Sequence, residues 1–249
     1  MVKNNSAIMI LCTFLYALHT CFVRYFKQEI EPGFSSDLII AYQYTISLFL
    51  LLPFIWKQKT LMQAIKGKLS LYLIRSTMIA FAAVSWIYAL SHSKAVNCIA
   101  ISCLTPLFIL IFAKIALGET LTLELFLISF TGLVGALIII GPDPLAFNAA
   151  SIFALLTACL WAINSLFTKK YLSPGTKPLE VFFTTALLLS FVAIPYLLIK
   201  SPKISWSSLG FLILITGIFD LANILLIWVF NQGKVSLVAS LDLFRVVFT

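Results

Sequence analysis

The sequence predicts an all-α fold, a polytopic integral membrane helix bundle, and three observations predict it. Of the 249 residues 61% are hydrophobic and only 10% charged, with a mean hydropathy of +1.07. A soluble domain carries about 25% charged residues, so this chain has too little polar material to cover a surface in water. The apolar residues fall into runs of about twenty, the length of a helix crossing a hydrocarbon core of about 30 Å. The runs do not alternate apolar and polar residues, which excludes the strands of a membrane barrel. Because they fill the whole chain, the lipid bilayer is the expected environment throughout.

Eight runs qualify in order, roughly 7–26, 38–56, 69–91, 95–116, 121–140, 148–168, 179–199 and 206–230. The first follows Lys3, as a signal peptide would, but further spans follow it and it reads as an uncleaved membrane helix. A ninth run begins at 235 and reaches 249. Its residues would rise about 22 Å, short of the core thickness. Pro106 in the fourth run predicts a kink, since proline removes a backbone hydrogen bond. Gly132 and Ala136 in the fifth form a small-xxx-small pair suited to close helix packing.

The net charge of +8 does not point to nucleic acid, because the basic residues lie mainly between the runs, where a membrane protein carries its orientation signals. With the N-terminus in the cytoplasm, ten Lys and Arg fall on the cytoplasmic side and five outside. Arg75 sits near the cytoplasmic end of the third run and is expected to snorkel. The five cysteines all lie inside apolar runs, with no CxxC and no metal-ligand spacing.

The chain also repeats itself. LYALHTCFVR at 15–24 matches LWAINSLFTK at 160–169, SLFLLLPFI at 47–55 matches LSFVAIPYL at 189–197, and WIYALSHSKAVNCIAISCL at 86–104 matches LIWVFNQGKVSLVASLDLF at 226–244. The order is kept and the offset is nearly constant. Residues 7–141 then form one unit of five helices and 148–249 a second. Five is odd, so the second unit enters from the opposite face, an inverted repeat of the kind found in secondary transporters. The second unit has no counterpart to Leu117–Glu119 or to the fifth run, so the pattern reads as nine of ten helices.

These residues resemble the EamA family of the drug/metabolite transporter superfamily. The resemblance rests on Tyr16–His19 and Trp161–Asn164, on the short connections holding Lys94 and Lys234, on Thr105 and Pro106, and on LGE at 117–119. It implies a ten-helix, 5+5 inverted repeat that moves small metabolites by alternating access, in a bacterial inner membrane.

Ionisable side chains within a membrane are costly and usually face a cavity or a partner. Asp220 lies near the middle of the eighth run; Asp242 and Arg245 lie about 11 and 15 Å into the ninth, close to the midplane. Asp242 and Arg245, three apart, fit a zwitterion clamp, or alternatively a structural ion pair. Ser102 and Thr105 occupy the matching positions of the fourth run. Asp220 and Asn223 share a helical stripe, suited to proton coupling or to a hydrogen-bonded helix contact. Tyr16 with His19, and Trp161 with Asn164, would line a cavity wall, or tie helices together.

No HExxH, GxSxG or GxGxxG is present and the two histidines lie in different units, so neither an enzyme nor a cofactor is expected. The expected function is a permease for small polar or zwitterionic metabolites such as amino acids or S-adenosylmethionine. The alternative is a non-transporting remnant or a membrane interaction subunit. Oligomeric state, coupling ion and direction of transport are left open.

Overall fold

The architecture comes from a computed structural model, and the structure describes residues 2–56, 67–119, 122–141, 148–172, 176–200 and 203–232. Every element among them is helical: α1 Val2–Tyr25, α2 Ser36–Trp56, α3 Leu69–His92, α4 Ala95–Ser102, α5 Thr105–Leu117, α6 Leu123–Ile140, α7 Ala149–Phe167, α8 Pro178–Lys200 and α9 Trp206–Gln232. Among the described residues seven spans are long and apolar enough to cross a membrane, with α4 and α5 together supplying the fourth, and α6, a helix of 18 residues, holds a shorter apolar stretch at Phe126–Gly135. The chain is an integral membrane protein.

The helix ends follow from local chemistry. Asn148 caps α7 in a reciprocal box, its Oδ1 accepting from Ser151 N–H at 3.2 Å while Ser151 Oγ accepts from Asn148 N–H at 3.2 Å. α5 stops at Gly118, which takes φ +65° and returns its N–H to the Ala113 carbonyl. The LGE stretch thus has a physical role: Leu117 packs into the core, Gly118 turns the chain, and Glu119 meets Lys169 at 3.6 Å. Pro106 differs from expectation. The fourth span is broken at Cys103–Leu104 rather than kinked, and Pro106 stands in the first turn of α5, where its missing N–H costs no helix bond.

Two single turns widen to π-helix, Phe26–Ile30 after α1 and Thr168–Leu172 after α7. Pro53 and Pro195 lie inside α2 and α8. In each pair the second feature falls 142 residues after the first.

α1 packs on α9, α2 on α8 and α3 on α7, and α7 also carries α4 and α5. Close approach is permitted by Ala154, Ala158 and Ala162, all buried, at four-residue spacing on α7. One core gathers Met9, Cys12, Ile109, Ala162, Leu166 and Val229 between α1, α5, α7 and α9. Another gathers Leu51, Tyr72, Val181, Phe182 and Ile227 between α2, α3, α8 and α9. Large apolar side chains such as Phe49, Phe54, Phe81, Ile115, Phe191 and Val192 stand outward. In water they would be a liability; on a membrane protein they are the face that lipid wets.

Candidate functional site

Polar side chains on six helices converge inside this apolar shell. Asp220 lies fourteen residues into α9, about 21 Å along a helix of 27 residues and so at its middle. It is 3% exposed. Ser47, midway along α2, donates its hydroxyl to Asp220 Oδ1 at 2.5 Å, and Oδ2 is buried with no hydrogen-bond partner in the structure. One turn further on α9, Asn223 donates its amide to the Phe219 carbonyl at 2.9 Å.

Phe219 is the hub of an aromatic group beside that carboxylate. The His19 ring lies 5.1 Å from it and the rings of Tyr16, Tyr44 and Phe182 at 6.4, 6.4 and 6.2 Å, the last three edge-on. Such edge-to-face contacts favour a fixed ring over a mobile one. His19 Nε2 also stands 2.6 Å from Gln43 Nε2, tying α1 to α2.

A second polar group surrounds Arg75, six residues into α3. It is 4% exposed and turned inward, so the snorkelling expected of it is corrected. Its Nε donates to Thr168 Oγ1 at 2.9 Å and its Nη1 to Thr185 Oγ1. The guanidinium therefore reaches across the bundle to α8 and to the π-turn after α7. Thr168 donates in turn to the Asn164 carbonyl at 2.7 Å, which brings Asn164 to this group; Asn164 Oδ1 is buried without a partner.

Of the residues expected from sequence, the structure therefore gathers Tyr16, His19, Asp220 and Asn223 around Phe219, and Asn164 beside Arg75. Ser102 and Thr105 hydrogen-bond locally at the break in span four, to the carbonyls of Ile99 and Ser102, each at 2.7 Å. Trp161 is half-buried on α7. Asp242 and Arg245 lie outside the described residues. Reasoning from sequence missed Gln43, Tyr44, Ser47, Arg75, Thr168 and Thr185. Gln43 and Ser47 had a signal, being polar residues four apart within an apolar helix.

The two ends of the bundle carry their own polar ties. At one end Lys27 donates to Ser36 at 2.8 Å, Ser208 donates to Glu31 at 2.6 Å, and Tyr196 donates to Asp37. At the other, Lys68 donates to Thr176 at 3.0 Å and Lys170 to the Ala116 carbonyl at 2.8 Å. The polar centre thus lies between two laced ends.

An arrangement of this kind suits binding of a small polar molecule more than bond-breaking, and comparisons with known proteins agree. Residues 6–141 match the model of the EamA-like transporter family. The chain is 35% identical over 152 residues to a riboflavin transporter of Brucella anthropi, an alignment covering 61% of this chain and 52% of that protein. It is 22% identical over 187 residues to an S-adenosylmethionine uptake transporter of Rickettsia prowazekii, covering 74% of this chain and 63% of the relative. A pseudopaline exporter of Pseudomonas aeruginosa is 21% identical over 254 residues, covering all of this chain and 86% of the exporter. The chain thus spans between half and two thirds of the first curated relatives it matches. A solved structure described as "Crystal structure of protein" superposes with a TM-score of 0.81 at 14% identity, covering 99% of this chain and 86% of that one, and supports the fold. The relatives are named as transporters, not enzymes. On the family match and the helix pattern together, this chain belongs to the EamA-like transporter family.

Proposed function

We propose that the chain works as a permease, moving a small polar or zwitterionic metabolite across a bacterial inner membrane by alternating access of two inverted repeats, 7–141 and 148–249. The observation that carries this reading is the Asp220 carboxylate, buried at mid-bundle with one oxygen unpartnered and an aromatic wall beside it. A charge at that depth is costly unless it serves a partner that comes and goes. The packing supports the repeat. Exchanging the two units turns the contact of α1 with α9 into that of α7 with α3, and both exist; the contact of α2 and α8 maps onto itself. The paired π-turns and paired prolines agree.

The substrate is an amino acid or S-adenosylmethionine, with Asp242 and Arg245, which lie outside the described residues, as the candidate clamp and Ser102 and Thr105 at the matching positions of the fourth run. A second reading has its own observation. The rings of Tyr16, His19, Tyr44 and Phe182 about Phe219 suit a planar heterocycle, and the Brucella relative is a riboflavin transporter.

The test is uptake of labelled S-adenosylmethionine and riboflavin into proteoliposomes holding the purified chain. Asp220→Asn is expected to lower uptake at least tenfold while the protein still elutes as a single folded species. Wild-type vesicles no leakier to either compound than empty ones would favour a non-transporting subunit. The excess of basic residues on one side supports a cytoplasmic N-terminus, so a cysteine at Lys59 should be labelled from the cytoplasmic side and one at Pro144 from outside; the reverse pattern inverts the topology.

A further inference from the structure

We propose that Arg75 is a binding residue for a carboxylate group of the transported molecule, an assignment that rests on the transporter reading but names a charge that Asp220 alone does not. The first ground is an unbalanced charge. Among the described residues no carboxylate lies within ion-pair distance of Arg75. The nearest buried acid on α8, Glu180, turns its Oε2 to the Lys177 backbone N–H at 3.2 Å instead.

The second ground is the kind of partners Arg75 has. Both are threonine hydroxyls whose own protons are already committed, Thr168 to the Asn164 carbonyl at 2.7 Å and Thr185 to the Val181 carbonyl at 2.9 Å. Each can therefore offer the guanidinium only a lone pair. They hold the fork in place without neutralising it. A guanidinium has five N–H donors; the two threonines take one on Nε and one on Nη1, and no other acceptor among the described residues meets the remaining three.

A singly charged carboxylate matches this site in charge and shape. It accepts two parallel N–H bonds from a guanidinium edge, and it neutralises the guanidinium. A doubly charged phosphate would leave a net negative charge in the same place. The location adds a mechanical consequence. Arg75 belongs to the first repeat, Thr168 and Thr185 to the second, and Thr168 opens a π-turn, a feature that recurs at functional sites. A carboxylate held there contacts the seam along which two repeats would rock.

The experiment uses the full chain in detergent and reads its thermal midpoint by the fluorescence of its five tryptophans. Potassium acetate is the probe, against potassium chloride at matched ionic strength. Acetate is expected to raise the wild-type midpoint and to leave Arg75→Gln unmoved. If the Gln variant does not fold, Arg75→Lys, which keeps the charge but loses the fork, is expected to need at least tenfold more acetate for half the effect. No acetate effect in the wild type, equal effects in wild type and variant, or an equal effect from inorganic phosphate overturns the assignment. Uptake separates this failure from that of the parent reading. Acetate protection through Arg75 without uptake of S-adenosylmethionine or riboflavin keeps the site and removes the permease. Uptake of S-adenosylmethionine at the same rate as its decarboxylated analogue, or unchanged in Arg75→Gln, removes the site and keeps the permease.

Discussion

Ser47→Ala isolates the one hydrogen bond that holds the buried carboxylate of Asp220. In the wild type Ser47 Oγ donates to Oδ1 at 2.5 Å, while Oδ2 has no partner. Removing the hydroxyl leaves a side chain that is 3% exposed with no donor on either oxygen. Hydrogen bonds to charged groups contribute about 1.5–3 kcal/mol, and an ordinary neutral side-chain bond between membrane helices averages only about 0.6 kcal/mol. The two cases differ enough to be told apart. A double-mutant cycle of Ser47→Ala with Asp220→Ala, read by unfolding in mixed detergent micelles, should give a coupling of about 1.5–3 kcal/mol between α2 and α9. A coupling at or below about 0.6 kcal/mol would mean that the pair is one neutral helix contact among many. The reasoning that makes Asp220 a special group would then be refuted.

Two further changes test the scaffold around the site. Gly118→Ala places a Cβ at φ +65° at the end of α5 and should cost at least about 1 kcal/mol in the same unfolding assay, though no atom lies within 4 Å of that Cβ. Little or no loss would show that the left-handed turn does not govern how α5 ends. Asn148→Ala removes the reciprocal cap of α7 and should cost about 0.5–2 kcal/mol, with Asn148→Asp restoring most of it.

The spans could be read from composition because in lipid a helix must satisfy its own backbone, which makes length and hydropathy sufficient. Pro106 was visible as an interruption for the same local reason, although it opens a helix rather than bending one. Asp220 was visible because a carboxylate in mid-span has few tolerable uses. Arg75 was misread. Six residues from a helix start, a long cationic side chain can reach either the interface or the interior, and the choice belongs to Thr168 and Thr185, more than ninety residues away. Ser47, Gln43 and Tyr44 were obscured by the same circumstance, since a hydroxyl, amide or phenol in an apolar run shows its role only when its partner on another helix is known. Local chemistry therefore wrote the elements, and contacts between distant helices wrote the site.

Arg75 and Asp220 lie on α3 and α9, which the repeat reading makes equivalent, yet they carry opposite charges and are not paired with one another. Each holds only hydroxyl partners, one for Asp220 and two for Arg75. If stability alone had shaped the bundle, these charges would be a defect, because replacing buried ions by neutral groups is often stabilising by about 1–4 kcal/mol. The double variant Arg75→Gln with Asp220→Asn should therefore be at least as stable as the wild type in micelle unfolding, and should transport nothing. Loss of stability in that variant would show the two charges to be structural ties whose hydroxyl partners outweigh the cost of burial. Retained or increased stability with uptake abolished would mean that a near-symmetric scaffold keeps two unlike charges, at a cost to itself, because the molecule it carries has two unlike ends.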